Sequence, residues 1–248
     1  MPDFTFERAC GSHLVAGVDE AGRGPWAGPV VAAAAVLWNG AEPQYLPRTI
    51  NDSKKLTAAC REQLYQEITG AFDVGVGIVD VVAIDTINIL QATLLAMRQA
   101  VANLSSAPAM VLVDGLHIPQ LPCGAQAIIK GDERSISIAA ASIVAKVTRD
   151  RIMRQLHREF PHYGWEKNAG YGTKAHQQAL LAHGVSPHHR RSFRPVRELL
   201  ASEQGARKAA LSVSEAHPPI CEPATVARER NTPGEQGERK AAMEAHHG

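Results

Sequence analysis

The stretch LVAGVDEAGRGPWAGPVVAAAAVL, from Leu14 to Leu37, reads as a strand, a tight polar break and a second strand. Leu14 to Val18 is a short apolar run and Pro29 to Leu37 a longer one, rich in Val and Ala, both of a length suited to strands in a sheet. Between them lie two adjacent carboxylates, Asp19 and Glu20, followed by Gly22, Arg23, Gly24 and Gly28. Neighbours in a regular strand point to opposite faces, so the pair is expected to serve one site only where the strand ends and the backbone turns. An isolated Asp-Glu pair is more often a solvated hairpin. Here the acids close an apolar strand beside an arginine and glycines with free N–H groups. Carboxylates suit hard divalent cations, and arginine and backbone amides suit phosphate. The stretch has the makings of a metal-and-phosphate site.

Working outward, Asn39 to Pro47 reads as loop, and Asp52 or Ser53 is placed to cap a helix running toward Ile68. Lys54 and Lys55 beside them look, taken alone, like solvated lysines. Phe72, Val74, Val76 and Ile78 alternate as a third strand, and Ile84 to Leu104 carries apolar residues at helical spacing. Met110 to Val113 is a fourth strand stopping on Asp114-Gly115, and Ala125 to Ile129 a fifth, followed by Lys130-Gly131-Asp132. A long helix is expected from Ser135 to Phe160 and another over Lys174 to His183. The order β-β-β-α-β-β-α implies an α/β or α+β domain on a mixed sheet, with the fourth strand parallel to the first. Asp114 then arrives at the same sheet end as Asp19 and Glu20, and Asp132 reaches it from the side. That is where open α/β sheets place ligands.

The 248 residues are enough for a substantial core, and a net charge of +1 excludes the strongly basic signature of a non-specific nucleic-acid coat. Cys10, Cys60, Cys123 and Cys221 are scattered without a C-x-x-C pair, against a zinc site or disulfide scaffold and in keeping with a reducing cytoplasm. No apolar run is expected to approach a membrane span. From Ala201 onward Phe, Trp and Tyr vanish and large aliphatics thin out, so residues 1–200 are expected to form the folded domain and 201–248 a disordered tail.

The motifs GVDEAGRGPWAGPVV, NDSKKL, INILQATLLAM, VLVDG, KGD, AAASIVAKVTRDR, GYGTKAH and HHRRSF, in this order over Leu14 to Val196, resemble the type 2 ribonucleases H, the bacterial ribonuclease HII group. The resemblance implies a ribonuclease H-like fold: a five-stranded mixed sheet flanked by helices, with a helical C-terminal portion. It maps the family's four catalytic, metal-binding acids onto Asp19, Glu20, Asp114 and Asp132. The element that reads the ribose 2′-hydroxyl maps onto Gly22, Arg23 and Gly24, and the tyrosine that stacks on the following sugar onto Tyr171; Lys54 joins the substrate-binding set. It implies Mg²⁺ or Mn²⁺ as cofactor and a monomer acting on RNA/DNA hybrids and on duplex DNA with embedded ribonucleotides. Cleavage on the 5′ side of the ribonucleotide would leave a 3′-hydroxyl and a 5′-phosphate, serving removal of misincorporated ribonucleotides and RNA primers.

Two other readings compete. A nucleotide-binding phosphotransferase is disfavoured because Gly22-x-Gly24-x-x-x-Gly28 is not a dinucleotide fingerprint and no Gly-Lys-Ser/Thr loop occurs. A non-catalytic nucleic-acid module would not need four acids. Type 3 ribonucleases H carry an additional N-terminal domain, for which a first strand near Leu14 leaves no room.

Overall fold

Val30-Val31-Ala32-Ala33-Ala34-Ala35-Val36-Leu37 forms strand β2 (Val30–Leu37), and its four alanines are fully buried. Such small side chains let helices press close on both faces of a sheet. The computed structural model describes residues 1–11, 14–37, 50 and 57–216. Around β2 lie α1 (Thr5–Ala9), β1 (Val15–Ala21), α2 (Ala58–Ala71), β3 (Phe72–Val79), α3 (Val81–Ala102), β4 (Met110–Asp114) and β5 (Gly124–Ile128). After them come α4 (Ile136–Glu159), α5 (Trp165–Asn168), α6 (Lys174–His183) and α7 (Arg194–Ala216).

The strands form one five-stranded mixed sheet in the order β3-β2-β1-β4-β5. Strand β2 runs antiparallel to β1 and β3, while β1, β4 and β5 are parallel, as the long connection through α3 requires. Ala16 and Val18 of β1 pack with Ala32 and Ala34 of β2 against Ala92, Ala96 and Ala100 of α3. The opposite face, with Ala33 and Ala35, meets Ile136, Ala140, Ile143 and Val144 of α4. Gly17 marks how close α4 comes: a β-carbon there would lie 2.1 Å from the Ser137 carbonyl carbon. This contact fixes the height of α4 over β1, and so the placing of every side chain that α4 sends toward the strand's end.

Several expectations are corrected. Strand β1 does not stop at Val18 but continues through Ala21, so Asp19 and Glu20 lie within it, opposite Ala33 and Ala32 of β2. Helix α2 lies between β2 and β3, and Thr57 caps it by accepting a hydrogen bond from the Cys60 N–H; Asp52 and Ser53, proposed for that role, lie outside the described residues, as does Lys54. Strand β3 forms over Phe72–Val79 as the alternation implies, with Phe72 buried and Val74 and Val76 half-buried on one face. Gly75 and Gly77 are buried against α3, where β-carbons would meet the Ala100 and Ala96 carbonyl oxygens at 2.0 Å, while Ile78 is exposed.

Helix α3 is, by length and composition, apolar enough to cross a membrane, contrary to the expectation that no run approaches that length. It packs on the sheet as a core helix, broken at Asn88, whose φ is 66° and whose Oδ1 accepts the Leu90 and Gln91 N–H groups. The chain divides into two units, Met1–Ala206 and Arg207–Gly248. The boundary expected at Ala201 falls inside α7, because Ala, Leu, Glu, Gln, Lys and Arg favour helix whether or not they bury a core. The rest of the expected tail, residues 217–248, lies outside the described residues.

Candidate active site

Pairing between β1 and β4 ends at Val18 opposite Val113, while β1 continues beside β2 alone. The sheet therefore opens just where the acids begin. Asp19 follows Val15 and Gly17 on the α4 side, and Glu20 follows Ala16 and Val18 on the α3 side, so the pair obeys strand alternation. Both still line one cavity of about 280 Å³, together with Asp114 at the end of β4. An absent neighbouring strand, rather than a backbone turn, lets adjacent acids share a site.

Asp19 is buried, 6 % exposed, and accepts the Glu20 N–H at 2.7 Å. Burial pushes its carboxyl well above the usual range, helped by the charges of Glu20 and Asp114, while a hydrogen bond with Ser142 opposes the shift. Glu20 is raised too, chiefly by burial; Arg23, whose Nη1 donates to Glu20 Oε1 at 3.2 Å, pulls it down and Asp114 pushes it up. Asp114 Oδ1 accepts the Gly131 N–H at 2.6 Å. Asp132 comes next in the chain, buried in the 3-10 turn Gly131–Glu133, and is not among the residues lining the cavity. The structure thus brings Asp19, Glu20 and Asp114 together with Gly22, Arg23, Gly24 and Tyr171 along one cavity, and Asp132 is not among its lining residues.

Ser142, Lys146 and Arg149 of α4 also line the cavity, and sequence reasoning did not single them out. Their signal was the spacing i, i+4, i+7, which puts three polar residues on one face of the helix. Lys146 is tethered through Nζ to Asp150 Oδ1 at 2.7 Å. The donor set facing the cleft is all oxygen and suits a hard divalent cation, whose charge would offset the burial and the mutual repulsion that raise Asp19 and Glu20. Among the described residues no three His, Cys, Asp or Glu side chains form a complete ligand set. A cation that keeps waters and takes ligands from a phosphate does not require one.

The turn at Gly22 to Gly24 is held from below by two buried arginines. Gly22 has a φ of +94°, and a β-carbon on it would lie 1.9 Å from Arg149 Nε, so only glycine fits against that guanidinium. Arg190, fully buried, donates to the carbonyls of Gly22, Arg23, Gly28 and Pro29 at 2.6 to 3.1 Å. Burial lowers Arg149 to about 10, and Arg190 to about 9 with help from the Arg149 charge. Both remain cationic near neutrality.

Tyr171 is 48 % exposed, and its Cε1 stands 3.4 Å from where a β-carbon on Gly24 would be. Its loop is anchored by a buried histidine pair. His176 Nδ1 lies 2.9 Å from the Tyr171 carbonyl, which can only accept, so Nδ1 carries the proton. His176 Nε2 then accepts from Trp165 Nε1 at 3.2 Å and from His189 Nε2 at 3.0 Å. His189 Nδ1 in turn accepts from the Ser186 N–H and hydroxyl. Burial, then the neighbouring His176, lowers His189 from 6.5 to about 3. Unfolded chains take up this proton more readily than the folded protein, so the stabilisation is complete above pH 6.5 and is lost as pH falls toward 3. We expect about 3 kcal/mol to be lost by pH 4 from this group. Melting curves from pH 7 to 4 should show a smaller loss for His189→Gln than for the wild type; equal slopes would discount His189.

A family model described as Ribonuclease HII matches residues 16–196. The Ribonuclease HII of Rhodospirillum rubrum is 56 % identical over 204 residues, covering 81 % of this chain and 93 % of the relative. That of Magnetococcus marinus is 57 % identical over 187 residues, covering 74 % and 86 %. Among solved structures, the ribonuclease H2 of Pyrococcus horikoshii superposes with a TM-score of 0.65 at 29 % identity, over 79 % of this chain and 99 % of the other.

Proposed function

Since this chain belongs to the ribonuclease HII family, we propose that its acidic cleft hydrolyses the phosphodiester on the 5′ side of a ribonucleotide, in RNA/DNA hybrids and at single ribonucleotides in duplex DNA. The products are a 3′-hydroxyl and a 5′-phosphate. The observation that carries this reading is the meeting of Asp19, Glu20 and Asp114 in one cavity with Gly22, Arg23, Gly24 and Tyr171. Three acids alone would repel a phosphodiester, and a ribose-reading turn alone would not cut one. Their adjacency puts the sugar and the scissile phosphate within reach together.

Asp19 and Asp114 would hold Mg²⁺ or Mn²⁺, with Glu20 and Asp132 completing the set. The chemistry that two such ions would supply there is activation of a water and neutralisation of charge at the phosphate. The chain's own groups do the rest. Ser142 holds the Asp19 carboxyl in one orientation by hydrogen bonding. Arg23 is half-exposed, so its guanidinium can turn from Glu20 to a phosphate. Gly22 and Gly24 allow main-chain groups to approach a 2′-hydroxyl, the group that distinguishes RNA from DNA. Base sequence has no part in this recognition. In the cell the activity would serve removal of misincorporated ribonucleotides and RNA primers.

The test is a labelled DNA duplex carrying one ribonucleotide, incubated with Mg²⁺, Mn²⁺ or chelator and sized beside an alkaline ladder. We expect one cut, 5′ to the ribonucleotide, that chelator abolishes, leaving a 3′-hydroxyl that a polymerase extends and a 5′-phosphate that a phosphatase removes. Cleavage on the 3′ side, or cleavage that survives chelation, would be incompatible with the assignment.

A further inference from the structure

Arg149 is 1 % exposed, and its guanidinium spans two segments of chain. Nε donates to the Pro29 carbonyl at 3.0 Å and Nη2 to that of Ala27 at 3.1 Å, both on the segment that follows the Gly22 to Gly24 turn. Nη1 donates to the Ala169 carbonyl at 2.9 Å, two residues before Tyr171. The same two segments also meet through the Trp26 N–H, which donates to the Gly170 carbonyl at 2.8 Å. We propose that Arg149 is a positioning residue: it fixes the distance between the ribose-reading turn and Tyr171, and so sets the preference for a ribonucleotide–deoxyribonucleotide junction. The inference rests on the function proposed above.

The chemistry favours this role over that of a filler. A guanidinium offers five N–H donors in a rigid planar fork, so a single side chain fixes both the spacing and the angle of the carbonyls it joins. Lysine would keep the charge but presents its donors from one point at the end of a flexible stem. Arg190 already secures the turn, and Pro29 O accepts from both arginines. Only Arg149 of the two reaches the Tyr171 side. Its removal should therefore leave the turn held and let the tyrosine loop drift. A continuous RNA strand offers a 2′-hydroxyl at every step. A lone ribonucleotide must be read by the turn and Tyr171 at once, so the drift is felt most there.

The experiment compares wild type, Arg149→Lys, Tyr171→Ala and the double variant on a DNA duplex with one ribonucleotide and on a continuous RNA/DNA hybrid, measuring kcat/KM for each. Misplacing a reacting group by about 1 Å can cost roughly a hundredfold, so Arg149→Lys should lower the embedded-to-hybrid ratio by about ten- to a hundred-fold. In the Tyr171→Ala background the same change should lower the ratio no further, because residues acting through one another are not additive. An unchanged ratio in folded Arg149→Lys overturns the proposal, as do effects on the ratio that multiply. If Arg149→Lys does not fold, Asn168→Ala frees the loop elsewhere, since Asn168 Oδ1 accepts the Gly170 N–H and Nδ2 donates to the Tyr163 carbonyl. A lowered ratio there supports the positioning role and an unchanged one overturns it. Wild type that cuts neither duplex sinks the assigned activity and this role with it; wild type that cuts both isolates the fate of Arg149.

Discussion

Asp19→Asn loses metal-dependent cleavage by about a thousand-fold or more, yet melts no lower than the wild type in chelator. Both halves follow from where Asp19 sits. Its carboxyl is buried beside Glu20 and Asp114, which raise its pKa along with burial itself. A charge held there opposes folding, and the proposed cation would offset it. Asparagine has nearly the same shape and can still accept the Glu20 N–H, which Asp19 holds at 2.7 Å. What it lacks is charge. Removing one preorganised electrostatic contact from an active site commonly costs a hundred- to a thousand-fold, and a ligand to a catalytic metal belongs at or beyond the upper end. Relief of repulsion works the other way: for a chain of this length about 1 kcal/mol corresponds to roughly 2–4 °C. Cleavage rates with Mg²⁺ and Mn²⁺, circular dichroism, and melting with and without chelator decide it. Near-normal turnover in a folded variant would remove Asp19 from the chemistry. A lower melting temperature would show that its charge is structural.

The sheet was legible because its signals are local. Apolar runs ending on Asp114-Gly115, and a long connection before them, were enough to place β4 parallel to β1 and to bring Asp114 toward Asp19. The manner in which the acids meet was not legible, because it depends on where β4 stops pairing rather than on anything in the Asp19-Glu20 segment. Ser142, Lys146 and Arg149 were hidden for a different reason. In a helix, three polar residues on one face are visible as a site only to a reader who already knows which face looks into a cleft. Arg190 lies in the run His188-His189-Arg190-Arg191, whose sequence alone assigns it no interior role. Yet His189 and Arg190 are interior, satisfied by a histidine and by carbonyls from residues more than 160 positions earlier. Burial of a charged group is set by tertiary partners that neighbouring sequence does not announce. Similarly, the thinning of apolar residues after Ala201 does not exclude a helix, and α7 runs on to Ala216.

Tyr171→Ala cuts a single embedded ribonucleotide about ten- to a hundred-fold more slowly, and its preference for that junction over continuous RNA narrows. The ring is half-exposed and stands over Gly24, so truncation removes little buried surface and should barely move the melting temperature. The backbone beneath it is held by groups other than the ring, Arg149 among them. Tyr171 N–H donates to the Asn168 carbonyl, its own carbonyl accepts from His176, and Gly172 packs so tightly on Trp26 that a β-carbon would meet the indole at 2.1 Å. A rigid loop that presents an aromatic ring beside the Gly22 to Gly24 turn has its ordering cost met before substrate arrives. Stacking of an aromatic side chain on a nucleotide is worth about 1–3 kcal/mol, which becomes roughly a ten- to hundred-fold rate effect when expressed in the transition state. Tyr171→Phe separates the ring from its hydroxyl: if stacking carries the effect, Phe restores most of the rate and Ala does not. The measurement is kcat/KM on both duplexes for the three proteins. An unchanged ratio in Tyr171→Ala would mean that the ring over Gly24 does not read the junction. Loss equal in Phe and Ala would move the role to the hydroxyl.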